Sequence, residues 1–197
     1  MTTTSSSQAA WRVTDIVVAA VLAVSFGVVF QVWNILWRAA VPAFVAFPPL
    51  QGFMYGVWLL PAVLVPLVIR RPGAALVGEG IAASVSALLG AEWGLLIIVY
   101  GLMQGGAAEL VFAFGLYRRW GAIMAVLAGG AAGAAAVLLD LAVYYPEWAA
   151  NWQLVYAALV IPSAAVVAGI GSWLLVGALA RTGVLSAFPS GRAQPEV

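Results

Sequence analysis

The chain is 197 residues long, 65% hydrophobic and only 8% charged, against about a quarter charged in soluble domains, which excludes a soluble globular enzyme. Eight Arg against seven Asp and Glu leave a net charge of +1, so there is no basic field of the kind DNA or RNA requires. Cys, His and Lys are absent, which excludes disulfides, thiolate chemistry, His-based zinc sites, His-dependent triads and lysine Schiff bases; no catalytic group, metal or cofactor is expected.

A helix needs about 20 mainly apolar residues to cross the hydrocarbon core of a bilayer. Residues 1–11, Thr- and Ser-rich, are read as a disordered tail, and six apolar runs follow. They cover Val13 to Trp37, Phe53 to Ile69, Ala74 to Gly90, Gly94 to Tyr117, Ile123 to Tyr145 and Trp152 to Ala180. The first run is about twice the length of a signal-peptide core, and further spans follow it, so it is read as a retained helix. The last is long enough to tilt or to break near Pro162. Between the runs lie Pro42 to Gln51, Arg70-Arg71-Pro72-Gly73, Gly90 to Trp93, Arg118-Arg119 and Pro146 to Asn151, all with loop composition. The predicted fold class is an all-α integral membrane protein, with six transmembrane helices in one domain over residues 12–186 and a second disordered tail over 187–197.

With six spans, Arg12, Arg70, Arg71, Arg118, Arg119, Arg181 and Arg192 share one side and Arg38 stands alone on the other. Positive loop residues stay inside, so both termini are expected in the cytoplasm. Trp11, Trp33, Trp37, Trp93, Trp120, Trp148 and Trp152 fall at span ends, as an interfacial belt would place them.

An ionisable residue near the bilayer centre costs about 2.5 to 3.5 kcal/mol on insertion scales, so each one needs a partner or a function. Glu79, Glu109 and Asp140 are the candidates. At 1.5 Å per residue, Glu79 and Glu109 both lie roughly 12 to 13 Å from the nearest Arg, at one level on adjacent antiparallel helices. Two readings are open for them: hydrogen-bonded glue between helices, or the floor of a polar cavity for a cation or an amino-bearing ring. The same ruler sets Trp58, Tyr55, Ser86, Gln104 and Tyr100 higher up as walls, and Trp33, Asn34, Asp140 and Trp152 near the outer mouth. Gln104 and Glu109 are about 140° apart on the helical wheel, so both do not point at one centre, and Glu109 is the better structural partner. Carboxylates and aromatic faces together suit a flat cationic or amine-bearing solute.

Ala19, Ala23 and Gly27 recur every fourth residue on the first span. Such a strip lets a second helix approach closely, either within the protein or as a docking surface for a separate membrane protein. No Gly-Lys-Ser/Thr phosphate loop exists, so uphill transport would draw its energy from an ion or from another subunit.

Several strings together resemble the YkoE family, the membrane-embedded substrate-binding (S) components of energy-coupling-factor (ECF) transporters linked to thiamine or its hydroxymethylpyrimidine precursor. They are Tyr55-Gly56-Val57-Trp58, the run Arg70-Arg71-Pro72-Gly73-Ala74-Ala75 leading to Glu79, Leu88-Leu89-Gly90, and Gln104-Gly105 with Ala108-Glu109 and Phe112. The resemblance spans about residues 12 to 186. It implies an S-component-like bundle in a prokaryotic cell membrane, a solute site open to the outside, and a transmembrane coupling protein with two ATPase subunits as partners. It also implies that Ala19, Ala23 and Gly27 dock the coupling protein and that Glu79, Gln104 and Glu109 contact the solute. The alternative reading is a self-sufficient carrier in which Glu79 and Glu109 exchange a proton for a cationic solute.

Overall fold

The computed structural model describes residues 10–192. Among these residues every regular element is a helix. Helix α1, Val13–Ala40, begins where Asp15 caps its own N-terminus: the Arg12 N–H donates to Asp15 Oδ2 at 2.9 Å and the Arg12 guanidinium pairs with the same carboxylate at 2.8 Å. Pro42, which lacks an N–H, ends the α-helix in a short 3₁₀ turn, Val41–Phe44.

The second apolar run is built differently from the uniform helix expected over Phe53 to Ile69. Its first half is a 3₁₀ helix, Pro48–Leu59, and only its second half is α-helical, α2, Leu60–Ile69. Gly56 explains why this half sits so close to its neighbour: a Cβ there would lie 2.6 Å from the Ser163 carbonyl oxygen, and its N–H donates to Ser163 Oγ. Helix α2 is the axis of the bundle, with nine of its ten residues buried.

Gly73, in the left-handed region at φ 84°, turns the chain into α3, Ala74–Leu88. Then come α4, Leu96–Phe114, and α5, Ala122–Val143. Helix α6, Ala150–Ser163, does not break at Pro162. The proline has no N–H to donate, and the chain continues through a π-helical stretch, Ala164–Ile170, into α7, Gly171–Arg181. A one-turn helix α8, Pro189–Arg192, follows. Packing runs α1 to α3 to α4 to α5 to α6, around α2.

Among the described residues five helical runs are long and apolar enough to cross a membrane: Val13–Phe44, Pro48–Ile69, Leu96–Phe114, Ala122–Val143 and Ala150–Arg181. The third expected span, Ala74–Leu88, is apolar but only 15 residues long. The expected tails divide. Residues 1–9 and 193–197 lie outside the described residues, whereas Trp11 donates its indole N–H to the Pro72 carbonyl at 2.9 Å. Within residues 187–192, Phe188 and Ser190 are buried, and Ser190 Oγ donates to the Val68 carbonyl.

The small-residue strip also needs correction as a docking surface. Ala19 and Ala23 are fully buried, and a Cβ on Gly27 would lie 2.5 Å from Val85 Cβ on α3. Ala19, Ala23 and Gly27 therefore serve close packing of α1 inside this chain, because the stripe they share with Asp15, Phe30 and Asn34 turns inward. The outward face of α1 is Val- and Ile-rich instead. Ala23→Leu should overpack this contact and lower detergent-phase stability by about 1–3 kcal/mol, read from thermal unfolding; an unchanged melting temperature would return the strip to an outer surface.

Candidate functional site

A cavity of about 310 Å³ lies between α1, the 3₁₀ half of the second run, α3, α4, α5 and α6. It sits toward the end of the bundle opposite Arg70, Arg71, Arg118 and Arg119, as its Trp37, Trp93, Tyr144 and Tyr145 come from the far ends of their helices and loops.

Its floor is Glu79, only 1% exposed. Ala62 lies in the first turn of α2, where the chain passes from 3₁₀ to α-helix, and its N–H donates to Glu79 Oε2 at 2.9 Å. Helices α3 and α4 meet tightly here because Gly101 and Gly105 carry no side chain: a Cβ on Gly101 would lie 2.5 Å from Ala83 Cβ, and one on Gly105 would lie 2.9 Å from Glu79 Cβ. Gln104, between them, donates from Nε2 to the Tyr55 hydroxyl at 3.4 Å.

The opposite side is Asp140, 4% exposed. Tyr156 donates to its Oδ2 at 2.7 Å. The Tyr55 and Tyr100 hydroxyls lie within electrostatic reach of the same carboxylate, and the Tyr100 hydroxyl is buried with no hydrogen-bond partner. Gln51 Nε2 donates to the Tyr145 hydroxyl at 2.9 Å. The wall between is aromatic. Trp58 meets Tyr55, Trp93, Trp37 and Trp33 edge-on, with ring centroids 5.5, 5.8, 6.3 and 6.4 Å apart. No Arg lines this cavity. Among the described residues no group of three or more acids could hold a metal ion.

Of the residues singled out in the sequence, Glu79, Gln104, Trp58, Tyr55, Tyr100 and Asp140 line this one cavity. Five others stand outside the lining. Glu109 receives the N–H groups of Gly73 at 2.6 Å and Ala75 at 2.9 Å, one on each oxygen, and so caps the N-terminus of α3. Asn34 is buried behind the wall, its Oδ1 accepting from the Trp58 indole N–H at 2.8 Å. Trp33 donates to the Met54 carbonyl at 3.0 Å. Trp152 packs on Phe47 and Trp148, and Ser86 is buried with its hydroxyl unpartnered.

Trp37, Trp93, Gln51, Tyr144, Tyr145 and Phe30 also line it without having been singled out as cavity residues, and Tyr156, Ala83, Ile97 and Gly101 complete the lining. The buried stripe of α1 carried a signal for two of them, since Phe30 and Trp37 continue the spacing of Gly27 and Asn34. Trp93 offered none, because a loop tryptophan reads equally well as an interfacial anchor.

Comparison with known proteins now places the chain. A family described as the permease component of an ABC-type cobalt transport system matches residues 14–135. A relative from Bacillus subtilis (strain 168), named as the HMP/thiamine permease protein YkoE, is 33% identical over 185 residues, covering 92% of this chain and 91% of its own. A solved structure described as an S-component of an ECF transporter superposes with a TM-score of 0.88 at 33% identity, covering 93% of this chain and 92% of that one. Fold and cavity thus define a multi-pass membrane permease component. The chain belongs to the YkoE family, in agreement with the motifs from Tyr55 to Phe112.

Removing the cap on α3 gives a direct test of the part assigned to Glu109. Glu109→Ala leaves the Gly73 and Ala75 N–H groups without their acceptor and should lower stability by about 1–3 kcal/mol. The thermal unfolding midpoint measures it, and a variant as stable as the parent would show that the carboxylate does not hold the start of α3.

Proposed function

We propose that this protein is the solute-capturing S subunit of an ECF-type vitamin uptake transporter, and that its solute is thiamine or the hydroxymethylpyrimidine precursor. The observation that carries this reading is the pair of buried carboxylates, Glu79 and Asp140, in one aromatic-walled cavity without Arg. A thiazolium is permanently cationic and flat. It gains from aromatic faces, by up to about 2 kcal/mol when desolvated, and from Asp140 beside its cluster of tyrosines. An aminopyrimidine presents ring nitrogens and an amine, which Gln104 and Glu79 complement as donor and acceptor. The volume, about 310 Å³, is at the small end of ligand pockets and suits a solute of one or two rings. A cobalt ion is a poorer match, since two acids and aromatic rings do not make a hard or nitrogen-rich ligand set.

In this reading α3 is the sixth crossing, both termini lie on the cytoplasmic, Arg-rich side of a prokaryotic cell membrane, and the cavity opens outward. Binding involves no turnover. The energy for release comes from a transmembrane coupling protein and two ATPase subunits, because this chain has no phosphate-cradling loop.

Titration of the purified protein with thiamine, followed by tryptophan fluorescence or calorimetry, should show saturable binding that the hydroxymethylpyrimidine competes away. Hydrogen bonds to charged groups contribute about 1.5–3 kcal/mol, so Glu79→Gln should weaken both ligands at least tenfold. Asp140→Asn should weaken thiamine by a similar factor and the uncharged pyrimidine much less, as only thiamine loses a counter-charge. Folded protein that binds neither ligand would overturn the assignment.

A further inference from the structure

The Arg-bearing end of the bundle holds a second cavity of about 190 Å³, several times the roughly 30 Å³ share of one water. It lies between the C-terminal end of α2, α7, Trp120 and α8. Arg70 and Arg181 both line it, and among the described residues no carboxylate does. Their neighbouring cations Arg12 and Arg71 are drawn to a carboxylate instead, sharing Asp15 at 2.8 and 3.1 Å.

Arg70 has no such partner among the described residues. It caps α2 in the left-handed region at φ 55°, and burial without a counter-charge holds its guanidinium below the ordinary value. Its Nη1 makes one long contact, 3.4 Å, to the Pro189 carbonyl, and its Nε is buried with no hydrogen-bond partner. A half-buried guanidinium with a vacant donor, beside a second guanidinium and no acid, is a receptor for an oxyanion.

The walls say which kind. Trp173 and Leu174 border the cavity and are 42% and 56% exposed on the apolar run Ala150–Arg181. The cavity therefore opens where an apolar helix face reaches its first charged residue, the level at which headgroups and tryptophans sit. We infer that this cavity binds the phosphate of an anionic phospholipid, with Arg70 and Arg181 holding the headgroup and Trp173 and Leu174 flanking the acyl chains. Basic clefts between membrane helices at an interface bind such headgroups.

The test uses the full chain, delipidated in detergent and titrated with phosphatidylglycerol, phosphatidylcholine or inorganic phosphate, with native mass spectrometry and thermal unfolding as readouts. Phosphatidylglycerol should be retained and should raise the unfolding midpoint, while the other two should not. Arg181→Gln, at an exposed position, and Arg70→Gln should each weaken phosphatidylglycerol about fivefold, with solute binding in the upper cavity unchanged. Equal stabilisation by phosphatidylcholine, equal stabilisation by inorganic phosphate, or undiminished phosphatidylglycerol binding in both variants would each overturn the assignment.

Discussion

Inside a bilayer no water is available to satisfy the free N–H groups at the start of a helix, and two such starts lie within this bundle. Both are met by a carboxylate from a neighbouring helix. Glu79 on α3 accepts from Ala62 at the start of α2, and Glu109 on α4 accepts from Gly73 and Ala75 at the start of α3. The partial positive charge of a helix N-terminus stabilises an anion there, so each glutamate offsets an orphaned donor while its own burial is compensated. The two contacts tie α2, α3 and α4 in series. Gly101 and Gly105 let α3 and α4 come close enough for this to happen.

That arrangement determines where the cavity can be. Because Glu79 holds the start of α2, the α-helical half of the second run occupies the Arg-rich end of the bundle axis, and the 3₁₀ half is left to line the space above it. Tyr55 and Trp58 come from that half, and Asn34 orients Trp58 through its indole N–H. The aromatic wall is thus supported from behind, and a side chain held in this way has less freedom to lose on binding. Asp140 sits across the space among Tyr55, Tyr100 and Tyr156, so the two acids address different parts of one solute.

The two ends of the bundle differ in how they handle charge. At the cavity end the acids are surrounded by neutral donors and rings. At the other end Asp15, fully buried, draws Arg12 and Arg71 together and so joins the start of α1 to the turn between α2 and α3. Arg70, one residue away from Arg71, is left out of that knot and turns toward α7 and α8.

The membrane class, the helical architecture and most of the apolar runs follow from composition and hydrophobic length, since a bilayer demands long apolar helices whatever their neighbours are. The importance of Glu79, Glu109 and Asp140 was equally legible, because an acid in an apolar run is costly in any fold. Depth along a helix is a one-dimensional quantity: it set Glu79 level with Glu109, Gln104, Tyr55, Trp58 and Tyr100 above them and Asp140 near the outer mouth, and of these all but Glu109 line one cavity. Rotation about each helix and the choice of partner are not one-dimensional. Only packing decided that Glu109 caps α3, that Asn34 stands behind Trp58, that Ala19, Ala23 and Gly27 face inward, and that Trp37 and Trp93 leave the interfacial belt for the cavity wall. Hydrophobic runs specify that a segment is buried from water, but they carry no information on whether lipid or protein does the burying.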